Sequence, residues 1–73
     1  MMKTVKVVRN RFGELNGYIG NEWVESFGEE RATDWLAEQI EAGHRLSDKN
    51  VISVSDIECQ QRKRAAFVAV HTA

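Results

Sequence analysis

With 73 residues the chain has room for one small core, so residues 1–73 are expected to form a single domain. Ten basic residues against 11 acidic ones, a net charge of −1, exclude a strong global pull toward nucleic acid or anionic membrane. A single cysteine, Cys59, excludes an internal disulfide framework, and with no signal-peptide pattern it points to a reducing, cytoplasmic setting.

Thr4 to Arg9, TVKVVR, is rich in β-branched residues and predicts a strand. Val5 and Val7 would share one face, with Lys6 and Val8 on the other. Asn10 to Gly13 predicts a turn. Leu15 to Phe27 carries two turn dipeptides, Asn16-Gly17 and Gly20-Asn21, too close together for both to be tight hairpins. The preferred reading pairs a strand at Leu15 to Ile19 with one at Glu22 to Phe27 through Gly20-Asn21. The rival turns at Asn16-Gly17 and runs one strand through to Phe27.

Ser26 to Leu46 carries the fullest set of helix signals. Ser26 and Glu29 have capping-box spacing, Glu29 and Glu30 suit the positive end of the helix dipole, and Gly43 can close the last turn. Ala32, Trp35, Leu36 and Ile40 form an apolar stripe at helical spacing, as for a helix lying on a sheet. Trp35, Leu36 and Ile40 are expected to pack on Val5 and Val7. Glu30, Asp34, Glu38 and Glu41 project nearly opposite. Residues 29–46 hold five acids against two bases, while each flank has one base in excess.

His44 to Asn50 predicts a polar loop. Val51 to Cys59 starts with strand composition, and Ala65 to Val70 is a second apolar run. Gln60 to Arg64 between them is expected to form a hairpin tip. The rival makes Ser55 an N-cap and Asp56 to Arg64 a short helix, since Ser55 and Glu58 also have capping-box spacing. The expected fold is α+β: an antiparallel sheet of four to five strands with one amphipathic helix packed on one face, in the order ββ(β)αββ.

Chemistry is thin. His44, His71 and Cys59 have neither a nucleophile signature nor metal-ligand spacing, and no glycine-rich phosphate loop is present. No catalytic residue, metal or cofactor is expected, so the chain is not read as an enzyme. No run approaches about 20 apolar residues, the length a membrane span needs. Two surfaces could bind macromolecules. The acidic helix face of Glu30, Asp34, Glu38 and Glu41 could meet a protein partner. The triplet Arg62, Lys63 and Arg64 could contact phosphates, and Tyr18, Trp23 and Phe27 could stack bases unless they belong to the core or a sheet face.

The run from Asn16 to Leu46, a hairpin followed by the FG–ER–A–WL–I helix, is similar in layout to the sheet-plus-helix arm-binding domains of phage-type integrases. Those domains are basic and read DNA with the sheet; this chain is slightly acidic and has no base-reading residue to match. In size and make-up it also resembles small phage-encoded accessory proteins, inhibitors of host defence such as anti-CRISPR proteins among them.

The leading expectation is therefore a small intracellular protein–protein module using the acidic helix face or an exposed sheet edge, an inhibitor being one form of it. The alternative is a nucleic-acid binder using residues 62–64 and the N-terminal strand. A homodimer through a sheet edge at Ala65 to Val70, or through the aromatic sheet face, is also expected, because an apolar edge strand needs cover and so small a domain gains from extra burial.

Overall fold

Strand β1, Thr4–Arg9, buries Val5 and Val7 completely and leaves Lys6 and Val8 half-exposed on the other side. This is the period-two separation of a strand with one covered face. The computed structural model describes residues 2–72, and side chains from residue 2 through residue 68. Asn10 ends β1 by accepting on its side-chain oxygen from the N–H groups of Phe12 and Glu14, both at 2.9 Å. An asparagine that bonds its own following backbone builds a turn by itself.

The chain returns as β2, Leu15–Ile19, and β3, Glu22–Phe27. Gly20-Asn21 is the turn between them, with Gly20 at φ +62, so the preferred of the two hairpin readings is the one formed. Gly17 pairs with Glu25 but Tyr18 with Trp23, which leaves Val24 as an extra residue and a bulge in β3.

Helix α1 spans Glu29–Glu41, shorter at both ends than Ser26 to Leu46. The capping box at Ser26 does not form: Gly28 is the N-cap residue, with no side-chain cap. Ser26 is still in the sheet, where its hydroxyl donates to Asn16 Oδ1 at 2.6 Å. Strand pairing has taken the oxygen that the helix start would have used. Gly43, at φ +101, closes the other end as expected.

Beyond it the expected polar loop contains β4, Arg45–Leu46, which pairs parallel with β1. The edge of β1 stays covered after β4 ends. Val7 donates its N–H to Asn50 Oδ1 and accepts from the N–H of Val51. The sheet order is β3-β2-β1-β4, antiparallel except for the β1–β4 pair.

The largest departure lies at the C-terminal end. Residues expected as a strand at Val51 to Cys59, a hairpin tip at Gln60 to Arg64 and a strand at Ala65 to Val70 instead form a loop and one helix, α2, Val54–Thr72. Ser53 accepts its first helical bond, from the N–H of Ile57. A hairpin tip wants glycine, asparagine, aspartate or proline. Gln60 to Ala66 offers only strong helix formers, so the chain continues as helix. The fold is α+β with four strands and two helices, in the order βββαβα.

The core joins Val5, Val7 and Leu15 of the sheet to Ala32, Trp35 and Leu36 of α1 and Ile57 of α2, with Ile40 partly buried against it. Trp35 and Phe27 meet at 5.1 Å between ring centroids. Both rings sit over Gly17. A Cβ added there would lie 2.5 Å from the Phe27 ring and 3.0 Å from that of Trp35. Glycine is thus required by packing, although alanine would suit a strand backbone better. Gly17→Ala should destabilise the fold by about 1–3 kcal/mol, the usual cost of overpacking. An unchanged denaturant midpoint would show that the two rings can move aside.

Candidate functional site

Helix α2 lies against α1, and the two sets of charges singled out in the sequence meet there. The Arg64 guanidinium donates from Nε and Nη2 to the two carboxylate oxygens of Glu41, at 2.9 and 3.1 Å. Its Nη1 donates to Asp34 Oδ1 at 2.9 Å. Gln60 Nε2 adds a bond to the same Asp34 oxygen at 3.1 Å, and Arg31 approaches the other at 3.6 Å. The fork on Glu41 is the strong, geometrically specific form of ion pair. It raises the Arg64 pKa, through the hydrogen bonds to Glu41 first and to Asp34 second.

The acidic stripe is therefore divided. Asp34 and Glu41 hold α2, while Glu30 and Glu38 are exposed and have no ion pair among the described residues. The basic triplet is divided in the same way. Arg64 is engaged by α1, and Arg62 and Lys63 are exposed without an ion pair among the described residues. Sequence spacing predicts which side of α1 these acids occupy, but the basic partner needed a second helix that the hairpin reading had removed.

Along Val54–Val68, Ile57 is the only buried side chain. Past Arg64 the helix turns apolar: Ala65 and Ala66 are exposed, Phe67 is 63% exposed and Val68 55%. An open groove of about 930 Å³ runs along this stretch, with Asp34 and Glu41 on one wall and Lys63, Arg64, Phe67 and Val68 on the other. The strand over Ala65 to Val70 that motivated a strand-edge homodimer is thus the C-terminal part of this helix. Of the two edges of the sheet, β4 is only two residues long, and β3 carries Glu22, Glu25 and a bulge that discourage edge-to-edge pairing.

The three aromatics considered for stacking part company. Phe27 belongs to the core. Tyr18 and Trp23 face the other way, on the side of the sheet away from α1, with Trp23 57% exposed. Cys59 is exposed on α2. His44 Nδ1 accepts from the backbone N–H of Lys3 at 3.2 Å. The His71 side chain lies outside the described ones. No group of three or more metal-ligating side chains occurs among the described residues, and none of their helices is long and apolar enough to cross a membrane.

Compared with protein-family models, curated proteins and solved structures, the chain matches none.

Proposed function

We propose that this chain is a non-enzymatic binding protein that acts through a protein–protein contact on the C-terminal half of α2. The observation that carries this reading is the exposed run Ala65, Phe67 and Val68 in the wall of the α1–α2 groove. Helices in proteins draw most of their stability from packing an apolar face, and between Val54 and Val68 this one buries only Ile57. Arg62 and Lys63 stand beside the run. The complementary partner is a protein surface with apolar side chains for Phe67 and Val68 and carboxylates for Arg62 and Lys63. A phage-type accessory or inhibitor protein would work in this manner, by occupying a partner's surface. An exposed lone thiol at Cys59 suits a reducing compartment.

Phosphate binding by Arg62, Lys63 and Arg64 is the weaker use of the same helix. Arg64 is already held by two carboxylates, and those carboxylates would repel a phosphate chain entering the groove.

Affinity capture from a nuclease-treated lysate, read by mass spectrometry, tests the reading when wild type is compared with the Phe67→Asp/Val68→Asp double variant. The expected result is a protein recovered by wild type and lost with the variant, whose circular dichroism is unchanged. Equal recovery by both would overturn it. A second copy of the chain as the occupant would appear in light scattering as a concentration-dependent mass above 8.3 kDa.

A further inference from the structure

The strand register decides what the open face of the sheet presents. Val5, Val7, Leu15 and Gly17 point toward α1, so the alternate positions Lys6, Val8, Asn16 and Tyr18 point away. The pairs Tyr18↔Trp23 and Asn16↔Ser26 extend that face onto β3, and Thr4↔Arg45 extends it onto β4. These positions hold two cations, Lys6 and Arg45, two aromatics and a few small polar or apolar side chains. They hold no carboxylate, in a chain where acids outnumber bases. Neither helix covers this side: α1 packs on the strands from the other face, and α2 contacts α1.

The exposed indole is fixed in place. Trp23 Nε1 donates to Asn16 Oδ1 at 3.0 Å, across the strand pair, and the Ser26 hydroxyl donates to the same oxygen. A large aromatic surface is thus held out to solvent with its ordering cost already met by the fold. Beside it the Lys6 ammonium lies 5.5 Å from the centroid of the Tyr18 ring, an attraction that keeps a positive charge on the face.

We infer that this sheet face binds single-stranded nucleic acid, with one base stacked on Trp23 and the phosphodiester chain crossing Lys6 and Arg45. A pinned indole needs a bare π face, which an unpaired base offers and a base inside a duplex does not. The two cations and the lack of carboxylates complement the phosphates. An acidic peptide would satisfy the cations and leave the indole unused.

Fluorescence anisotropy with labelled oligo(dT) and oligo(U) of about 12 nucleotides, a length within the span of one small binding domain, at about 50 mM salt, tests this. Both oligomers should bind. Trp23→Ala should weaken binding roughly 5- to 150-fold, the worth of one base–aromatic stack. Trp23→Phe, which lacks the indole N–H but keeps a π face, should recover most of the loss. Lys6→Ala and Arg45→Ala should each reduce the salt slope by about 0.7, one phosphate's share on a single strand. Phe67→Asp/Val68→Asp, made at the proposed protein site, should bind the oligomers as wild type does, so the two readings fail separately. The inference is overturned by no binding of either oligomer, by equal affinity for duplex DNA, by equal competition from polyglutamate, or by Trp23→Ala binding like wild type. It is overturned too if Arg62→Ala/Lys63→Ala abolishes binding, which would place the nucleic acid on α2.

Discussion

Trp35→Ala should lower the free energy of unfolding by about 3–5 kcal/mol, the range for truncating a large core aromatic. Trp35 is 5% exposed, packs on Phe27, covers Gly17 and joins the cluster of Val5, Val7 and Leu36. A chain of this length has a total stability of roughly 4–11 kcal/mol at the usual value per residue. The loss is therefore a large share of the whole, and the variant should be partly unfolded at 37 °C or melt far below wild type. Urea denaturation followed by circular dichroism measures it directly. The second tryptophan supplies the contrast: Trp23 is 57% exposed, so Trp23→Ala should shift the midpoint little. Equal effects from the two substitutions would contradict the placement of the core.

β1 and α1 were readable because one periodicity governs each of them, and β2 and β3 because the Gly20-Asn21 turn marks where they meet. Val5 and Val7 alternate with Lys6 and Val8, and Ala32, Trp35, Leu36 and Ile40 repeat at helical spacing. The structure buries Val5, Val7, Ala32, Trp35 and Leu36, with Ile40 partly buried. Helix α2 has no such pattern. Only Ile57 is buried through Val68, Gln60 and Arg64 follow it toward α1, and the run Ala65 to Val70 has the β-branched look of a strand. The rival reading, a short helix over Asp56 to Arg64 from the Ser55–Glu58 spacing, is the one the chain takes, beginning earlier at Val54 and running further. The absence of any turn former in Gln60 to Arg64 was the other signal. β4 was beyond reach, because two residues show no period and their pairing with β1 depends on where α1 ends.

The candidate surfaces were legible as residue types and illegible as positions. The charges of α1 and of residues 62–64 stand out in the sequence, but that Arg64 would lock onto Glu41 and Asp34 depends on how two helices cross. That Trp23 faces solvent while Phe27 faces the core depends on the bulge at Val24. Without it the residues of β3 before the bulge would swap faces.

Ile57→Ala should undock α2 before the rest of the molecule unfolds. Ile57 is 2% exposed and is the one buried side chain the helix contributes through Val68. Its truncation should cost about 2–5 kcal/mol. Among the described residues, the polar contacts that remain between the helices are the Gln60–Asp34 bond and the Arg64 fork, with the Arg64, Asp34 and Glu41 side chains 29%, 32% and 44% exposed. Partly exposed pairs of this kind contribute at most about 1 kcal/mol each, less than the apolar loss. Once undocked, α2 loses the one side chain it buries through Val68, and helices in proteins draw most of their stability from packing an apolar face rather than from propensity. The expected signature is hydrogen exchange accelerated across Val54–Thr72 while β1, β2 and α1 keep most of their protection. It should be accompanied by a fall in ellipticity at 222 nm without loss of the Trp35 environment. Loss of protection in all elements together would instead make α2 an integral part of the cooperative core. Under the proposed function, a partner that reads the α1–α2 groove should bind Ile57→Ala more weakly by the fraction of molecules in which α2 is undocked. That loss should appear although Phe67, Val68, Arg62 and Lys63 are untouched.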